Sequence, residues 1–301
     1  MGYTREAIKG VSWIAVLRIS TRVVAFFKTI ILARVLFPAQ FGAYGVALLV
    51  LGFLEVMTET GVNVLLIQEK QVDKYINSAW IVSIIRGIII ALALVLLAPV
   101  IADFFHSPES KSLLYAMSII PFLRGFINPS IVKFQKDLTF HKEFWYKFAV
   151  FCVDSSVAIV ATVLTHNPMG IVAGLIAGVF TELILSYRLV KPTPFIEFHG
   201  EYIKKIIHRG KWVTAGGIFN YLFHNADNIV VGRLLGTMSL GAYQMAYSLS
   251  MLPITEIADV FSRVTFPVYR KIAHDRVRLR RAFLKPQLVI TALTLPLGIL
   301  L

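Results

Sequence analysis

A chain of 301 residues that is 57% hydrophobic and only 16% charged, with a mean hydropathy of +0.72, has too little charge to cover the surface of a soluble domain. The 30 Lys and Arg against 17 Asp and Glu leave a net charge of +13. No nucleic-acid motif accompanies that charge, which crowds into alternate loops of an apolar chain as in a polytopic membrane protein. A soluble enzyme and a nucleic-acid partner are both excluded.

A bilayer-crossing helix takes about 20 mostly apolar residues. Eight stretches qualify: 11–35, 43–67, 78–102, 112–132, 143–165, 167–190, 212–235 and 241–267, with a ninth starting near Lys285. The first carries Arg18, Arg22 and Lys28 and has no A-x-A site, so no cleavable signal is expected there. The lone Cys152 cannot form an intramolecular disulfide and says nothing of compartment.

Loop charges orient the helices. Lys70 and Lys74 fall between spans two and three, and Lys133, Lys136 and Lys142 between spans four and five. The 188–211 segment adds six basic residues and the 268–285 segment seven, whereas the loops on the other side supply only Lys111. The positive-inside rule then puts the N-terminus and the basic loops in the cytoplasm.

The chain also repeats itself. A shift of 199 positions lays ARVLFPAQFGAY (Ala33–Tyr44) on GRLLGTMSLGAY (Gly232–Tyr243), matching Arg34 with Arg233, Gly42 with Gly241 and Tyr44 with Tyr243. Trp13 falls on Trp212 under the same shift. An even number of spans separates the copies, so they are parallel repeats about an axis along the membrane normal. The expected architecture is an all-α, polytopic membrane bundle of two parallel six-helix repeats forming two lobes around a central cavity. Residues 1–190 form the first lobe, 191–211 an amphipathic cytoplasmic linker, and 212–301 two helices and part of a third of a truncated second lobe. In the linker Phe198, Tyr202, Ile203, Ile206 and Ile207 share one face. That suits a helix lying among lipid headgroups, or a plain connector.

Charges inside a bilayer cost at least a few kcal/mol each and mark interiors or wet cavities. Arg18, Thr21, Arg22, Ala25 and Thr29 form a stripe on the first span; Glu55, Glu59 and Asn63 form one on the second. If both are straight and antiparallel across the Pro38 turn, residues at equal depth pair Arg22 with Glu55 and Arg18 with Glu59. Either these pairs only hold the helices together, or the arginines exchange carboxylates for an anionic substrate group such as phosphate. Arg86 and Arg124 look able to snorkel to the cytoplasmic surface. Asp154 and Glu182 are level acids that suit a proton or sodium coupling site, or a helix contact. Asn220, His224, Asp227 and Asn228 form a polar face opposite Glu256 and Asp259, with His224 a protonation switch or a structural hydrogen bond. No HExxH, P-loop, GxSxG or CxxC pattern is present, and no cofactor is implied.

Several stretches carry a family resemblance: GVSW (Gly10–Trp13), LARVLFPAQFGAYGV (Leu32–Val46), ETGVNVLLIQ (Glu59–Gln68), KDLTF (Lys136–Phe140), ADNIVVGRLLGTMSLGAY (Ala226–Tyr243) and MLPI (Met251–Ile254). Together they resemble the polysaccharide transporter family, lipid-linked oligosaccharide flippases of the multidrug/oligosaccharidyl-lipid/polysaccharide exporter superfamily. The resemblance implies a bundle of 12 to 14 helices with a cationic cavity and alternating access. It also implies movement of an undecaprenyl-pyrophosphate-linked glycan across the bacterial cytoplasmic membrane, with polysaccharide polymerase and glycosyltransferases as partners. A cation-coupled multidrug exporter, a peptidoglycan-precursor flippase and a membrane scaffold are the alternatives.

Overall fold

The computed structural model describes residues 2–247 apart from 70, 138 and 199, together with 250 and six positions between 280 and 291. Most of the expected 241–267 span, with Glu256 and Asp259, lies outside the described residues. So does most of the 268–285 basic segment. All described secondary structure is helical. Helix α1 (Gly2–Val35) leads through a two-residue turn into α2 (Pro38–Met57). Pro38 at the first helical position presets the backbone angle, and the Gln40 side chain accepts from the Phe37 N–H at 3.0 Å.

The expected second span is two helices. Chain α2 ends at Thr58, Gly61 turns left-handed (φ 61°), and α3 (Val62–Gln68) starts afresh. After α4 (Asp73–Phe104), the expected fourth span is likewise broken into α5 (Pro108–Met117), α6 (Ile119–Gly125), a 3-10 turn (Pro129–Val132) and α7 (Lys133–Lys136). Pro121 and Pro129 each lack the N–H that a continuous helix would use. Then come α8 (Phe140–Thr165), α9 (Met169–Leu189) and α10 (Gly200–Leu234).

Helices α2, α4, α8 and α9 are long and apolar enough to cross a membrane. Large apolar side chains stay exposed along α4 at Ile85, Ile88, Leu92, Leu96 and Val100. This stripe repeats every three to four residues, as a lipid-facing surface should. The interior is packed where Ala43, Ala47 and Leu51 of α2, Ile90 and Leu94 of α4, Leu114 and Met117 of α5 and Val172 and Val179 of α9 meet.

Helices α8 and α9 touch backbone to backbone. Gly170, Gly174 and Gly178 present one edge of α9, and a Cβ added at Gly174 would lie 2.5 Å from the Ala158 Cβ. Small residues at four-residue spacing permit such approach between membrane helices. Helix α1 meets α2 only near the turn, where Leu32 and Leu36 pack with Phe41, Tyr44 and Ile171. From there it follows α8, with Trp13 on the Phe144 ring at 5.2 Å.

Residues expected to form a linker helix and a separate span belong to one continuous 35-residue helix, α10. Its first turns do not offer their apolar face to lipid headgroups. Tyr202, Ile203 and the fully buried Ile206 pack on Leu65, Leu66, Tyr75 and Ile76. The Tyr75 and Tyr202 rings lie 4.6 Å apart, while Phe198 stays exposed. Further along, α10 crosses α2: the Tyr221 hydroxyl donates to the Leu49 carbonyl at 2.6 Å, over Gly52. Two compact units divide the chain, Met1–Gly241 and Ala242–Leu301. Within the second, the Tyr243 and Tyr247 rings stack at 6.0 Å.

Candidate functional site

The breaks in the second and fourth expected spans create the site. Because α2 stops at Thr58, the Glu59 N–H turns back to Val56, and the Glu55 carbonyl has no helical N–H to accept. Arg86 of α4 fills that position. Its Nη2 donates to the Glu55 carbonyl at 2.7 Å, its Nε to Thr58 Oγ1 at 3.2 Å, and Nη2 lies 3.5 Å from the Glu59 carboxylate. A guanidinium at a helix C-terminus also meets the negative end of the helix dipole. The Glu59 carboxylate accepts from the Gly61 N–H at 3.0 Å, so the left-handed glycine and the ion pair hold each other.

Arg124 of α6 pairs with the Glu55 carboxylate at 2.6 Å. Both arginines are followed by glycine, and those glycines form the crossing of α4 and α6. A Cβ at Gly87 would strike the Pro121 carbonyl oxygen, and one at Gly125 would lie 2.9 Å from the Ser83 carbonyl oxygen. Close approach of the two backbones brings both arginines to the end of α2 that carries Glu55 and Glu59. The end of α6 is fixed as well: Trp80 and Tyr187 both donate to the Phe126 carbonyl, at 3.2 and 2.9 Å. The fully buried Asn128 donates to the Val190 and Pro192 carbonyls at 3.4 and 3.1 Å, and its own N–H donates to Ser186.

These groups line a cavity of about 310 Å3 that also takes in Asn63, Ser83, Asn128 and Glu182. A second chamber of about 200 Å3 lies between α6, α8 and α9 and shares Arg124 and Glu182 with the first. Its polar walls are Tyr146, whose hydroxyl is 3.4 Å from the Glu182 carboxylate, with Lys147 and Asp154. Asp154 is buried and pairs with Lys28 of α1 at 2.9 Å. Its second carboxylate oxygen, Oδ1, is buried without a hydrogen bond among the described residues.

The expected pairing of Arg22 with Glu55 and Arg18 with Glu59 is not what the structure brings together. Arg124 and Arg86 take those carboxylates instead of snorkelling. The equal-depth argument required two straight, adjacent helices, whereas α2 breaks at Thr58 and α1 departs to α8. Arg18 and Arg22 lie exposed on α1 and line neither chamber. Asp154 and Glu182 do share a chamber. Asn220 and His224 are exposed on α10, and Asp227 accepts from the Asn228 backbone and side-chain N–H groups at 2.8 and 3.1 Å. Arg233 caps not its own helix but the end of α4, donating to the Phe104 carbonyl at 2.5 Å. Sequence reasoning missed Arg86, Arg124 and Lys28 as partners; the paired Arg–Gly dipeptides were the available signal. Among the described residues no group of His, Cys, Asp and Glu is arranged to hold a metal ion.

Residues 31–301 match the family described as Polysaccharide biosynthesis protein. The chain belongs to this family. Its relatives include the lipopolysaccharide biosynthesis protein WzxC of Escherichia coli K12, 25% identical over 98% of this chain and 61% of its own length. The succinoglycan biosynthesis transport protein ExoT of Rhizobium meliloti is 25% identical over 97% and 60%. The teichuronic acid biosynthesis protein TuaB of Bacillus subtilis is 23% identical over 98% and 62%. The chain thus spans about three fifths of the length of these relatives, and no solved structure matches it.

Proposed function

We propose that this member of the family works in a transporter that flips an undecaprenyl-pyrophosphate-linked oligosaccharide across the cytoplasmic membrane by alternating access, for cell-surface or exopolysaccharide synthesis. The observation that carries the reading is the pair Arg86 and Arg124, held on Glu55 and Glu59 around a cavity between apolar helices. Guanidinium binds phosphate oxygens bidentately, and a diphosphate offers more charge than either carboxylate. Its arrival trades each Arg–Glu bond for an Arg–phosphate bond, so neither guanidinium is left bare in a low-dielectric site. Its departure returns the arginines to Glu55 and Glu59, which resets the cavity. Transport of a glycan named in ExoT's description agrees with this reading. Two arginines also disfavour a cationic drug as cargo.

The basic loops 68–77 and 133–142 support an orientation with the N-terminus and the α3–α7 end in the cytoplasm. Coupling to a proton or sodium ion falls to Glu182, since Asp154 already has the Lys28 ammonium as counter-ion. Arg18 and Arg22 pass their assigned role to Arg86 and Arg124. The experiment is polysaccharide export in cells that carry single variants present at normal levels in the membrane. Arg86→Ala and Arg124→Ala abolish export, whereas Arg22→Ala retains it. Normal export by both Arg86→Ala and Arg124→Ala overturns the reading.

A further inference from the structure

Positions 42 and 241 are the same place in the two copies of the repeat, and so are 38 and 237. A Cβ added at Gly42 would fall on the Thr237 carbonyl oxygen, and one added at Gly241 on the Pro38 carbonyl oxygen. Residue 42 of the first copy thus meets position 38 of the second, and the converse holds as well. A patch that meets its own image in this way is a two-fold contact. Parallel repeats produce one where their common axis passes between the copies.

The contact lies at the end of the molecule where α1 turns into α2 and α10 ends. It is backbone against backbone, with no side chain between. Beside it Val46, Leu49, Phe105 and Leu240 are buried together and close the gap between α2, α4 and the helical residues that follow the turn at Leu235. Arg233 then ties α10 to the last turn of α4. Its Nη1 reaches the Phe104 carbonyl at 2.5 Å and His106 Nδ1 at 2.9 Å, and the guanidinium sits 4.8 Å above the Phe104 ring. His106 is in the left-handed region (φ 50°), which presents its ring to the arginine. The Arg86–Arg124 cavity lies towards the other end, lined by Asn63, Pro129 and Ile131.

We propose that the reciprocal Gly42–Thr237 and Gly241–Pro38 contact is the outer gate, shut in this structure, and that Arg233 with the Phe104 carbonyl and His106 is its latch. The proposal rests on the transporter reading only for its statement that the gate opens. Two glycines make the contact itself tight without interlocking side chains, so what parts with it is the apolar packing of Leu240 on Val46, Leu49 and Phe105. The latch is half exposed and trades its bonds for water when α10 moves.

The test is thiol labelling of the full-length protein in right-side-out membrane vesicles. Cys152→Ala removes the one thiol of these 301 residues, and any further cysteine of the full-length protein is likewise replaced by alanine. Phe53→Cys places a reporter under the contact, 11 residues along α2 from Gly42, or about 16 Å. In the parent, Phe53 packs on Tyr221 with ring centres 5.9 Å apart, and a membrane-impermeant maleimide labels the reporter slowly. Arg233→Ala raises the labelling rate about tenfold by raising the open population. Gly42→Ala and Gly241→Ala raise it equally, because the two sites are equivalent. Labelling of Arg233→Ala and His106→Ala at the parent rate overturns the proposal. These two surface variants decide the matter even if a glycine variant does not accumulate. The readout uses no glycan: lost export by Arg86→Ala with unchanged labelling belongs to the cavity, whereas faster labelling belongs to the gate.

Discussion

The Lys28–Asp154 pair joins two helices with side chains only 14% and 12% exposed. Breaking such a pair by removing one partner leaves an uncompensated charge, which costs about 3–5 kcal/mol, more than the pair itself contributes. Lys28→Met therefore lowers the thermal stability of the purified protein sharply, and adding Asp154→Leu restores most of it. A double mutant as unstable as Lys28→Met would show that the ammonium acts on something other than Asp154. Glu182 sits at the boundary of the two chambers beside Arg124. Glu182→Gln is expected to retain glycan binding while export loses its dependence on the ion gradient, measured with ionophores in whole cells. The charged residue types were all legible in the sequence, as was their confinement to a few helices. Their partners were not, because pairing depends on where a helix stops. A carboxylate at 55 meets Arg124 rather than Arg22 because the chain turns at Gly61 and α1 swings to α8.

At the scale of elements, close packing is assigned to glycine. On α9, Gly174→Leu forces the backbone from Ala158 and Asp154, and overpacking of this kind costs about 1–3 kcal/mol. The loss is read as a lower melting temperature, while Gly200→Leu, with nothing within 4 Å of its added Cβ, leaves melting unchanged. Apolar length located the four helices among the described residues that are long and apolar enough to cross a membrane, since α2, α4, α8 and α9 each fall on an expected span. It failed where hydrophobic runs continue through a break. Residues 43–67 and 112–132 are apolar enough to cross, yet Gly61, Pro121 and Pro129 interrupt them. Hydropathy weighs side chains and is blind to a missing N–H. The same blindness hid the join in α10, where charged residues from 204 to 211 read as a linker although the backbone stays helical.

Across the whole molecule, the 199-residue offset was legible before any coordinates. What it could not say is that Gly42 lies against the Thr237 backbone and Gly241 against the Pro38 backbone. Helix α10 gives that fact a mechanical side. With 35 residues it is about 50 Å long, well beyond the roughly 30 Å hydrocarbon thickness. Ile206 anchors one end on α3 and α4, Thr214 donates to the Glu59 carbonyl beside the cavity, and Arg233 holds the far end. In the proposed transport cycle such a rod would tilt as one piece, with the contact of Tyr221 on Gly52 as its pivot. Gly216 has open space around its Cβ position, so Gly216→Ala stiffens the rod by about 0.5–1 kcal/mol and leaves export intact. Gly216→Pro puts a joint in it, and export should fail in protein that still reaches the membrane; export at the parent rate would mean the two ends act independently. Under the proposed alternating access, a seesaw has two ends and one motion: the displacement that widens the cavity mouth would press the far end shut, so a leak open to both sides at once would require the beam itself to snap.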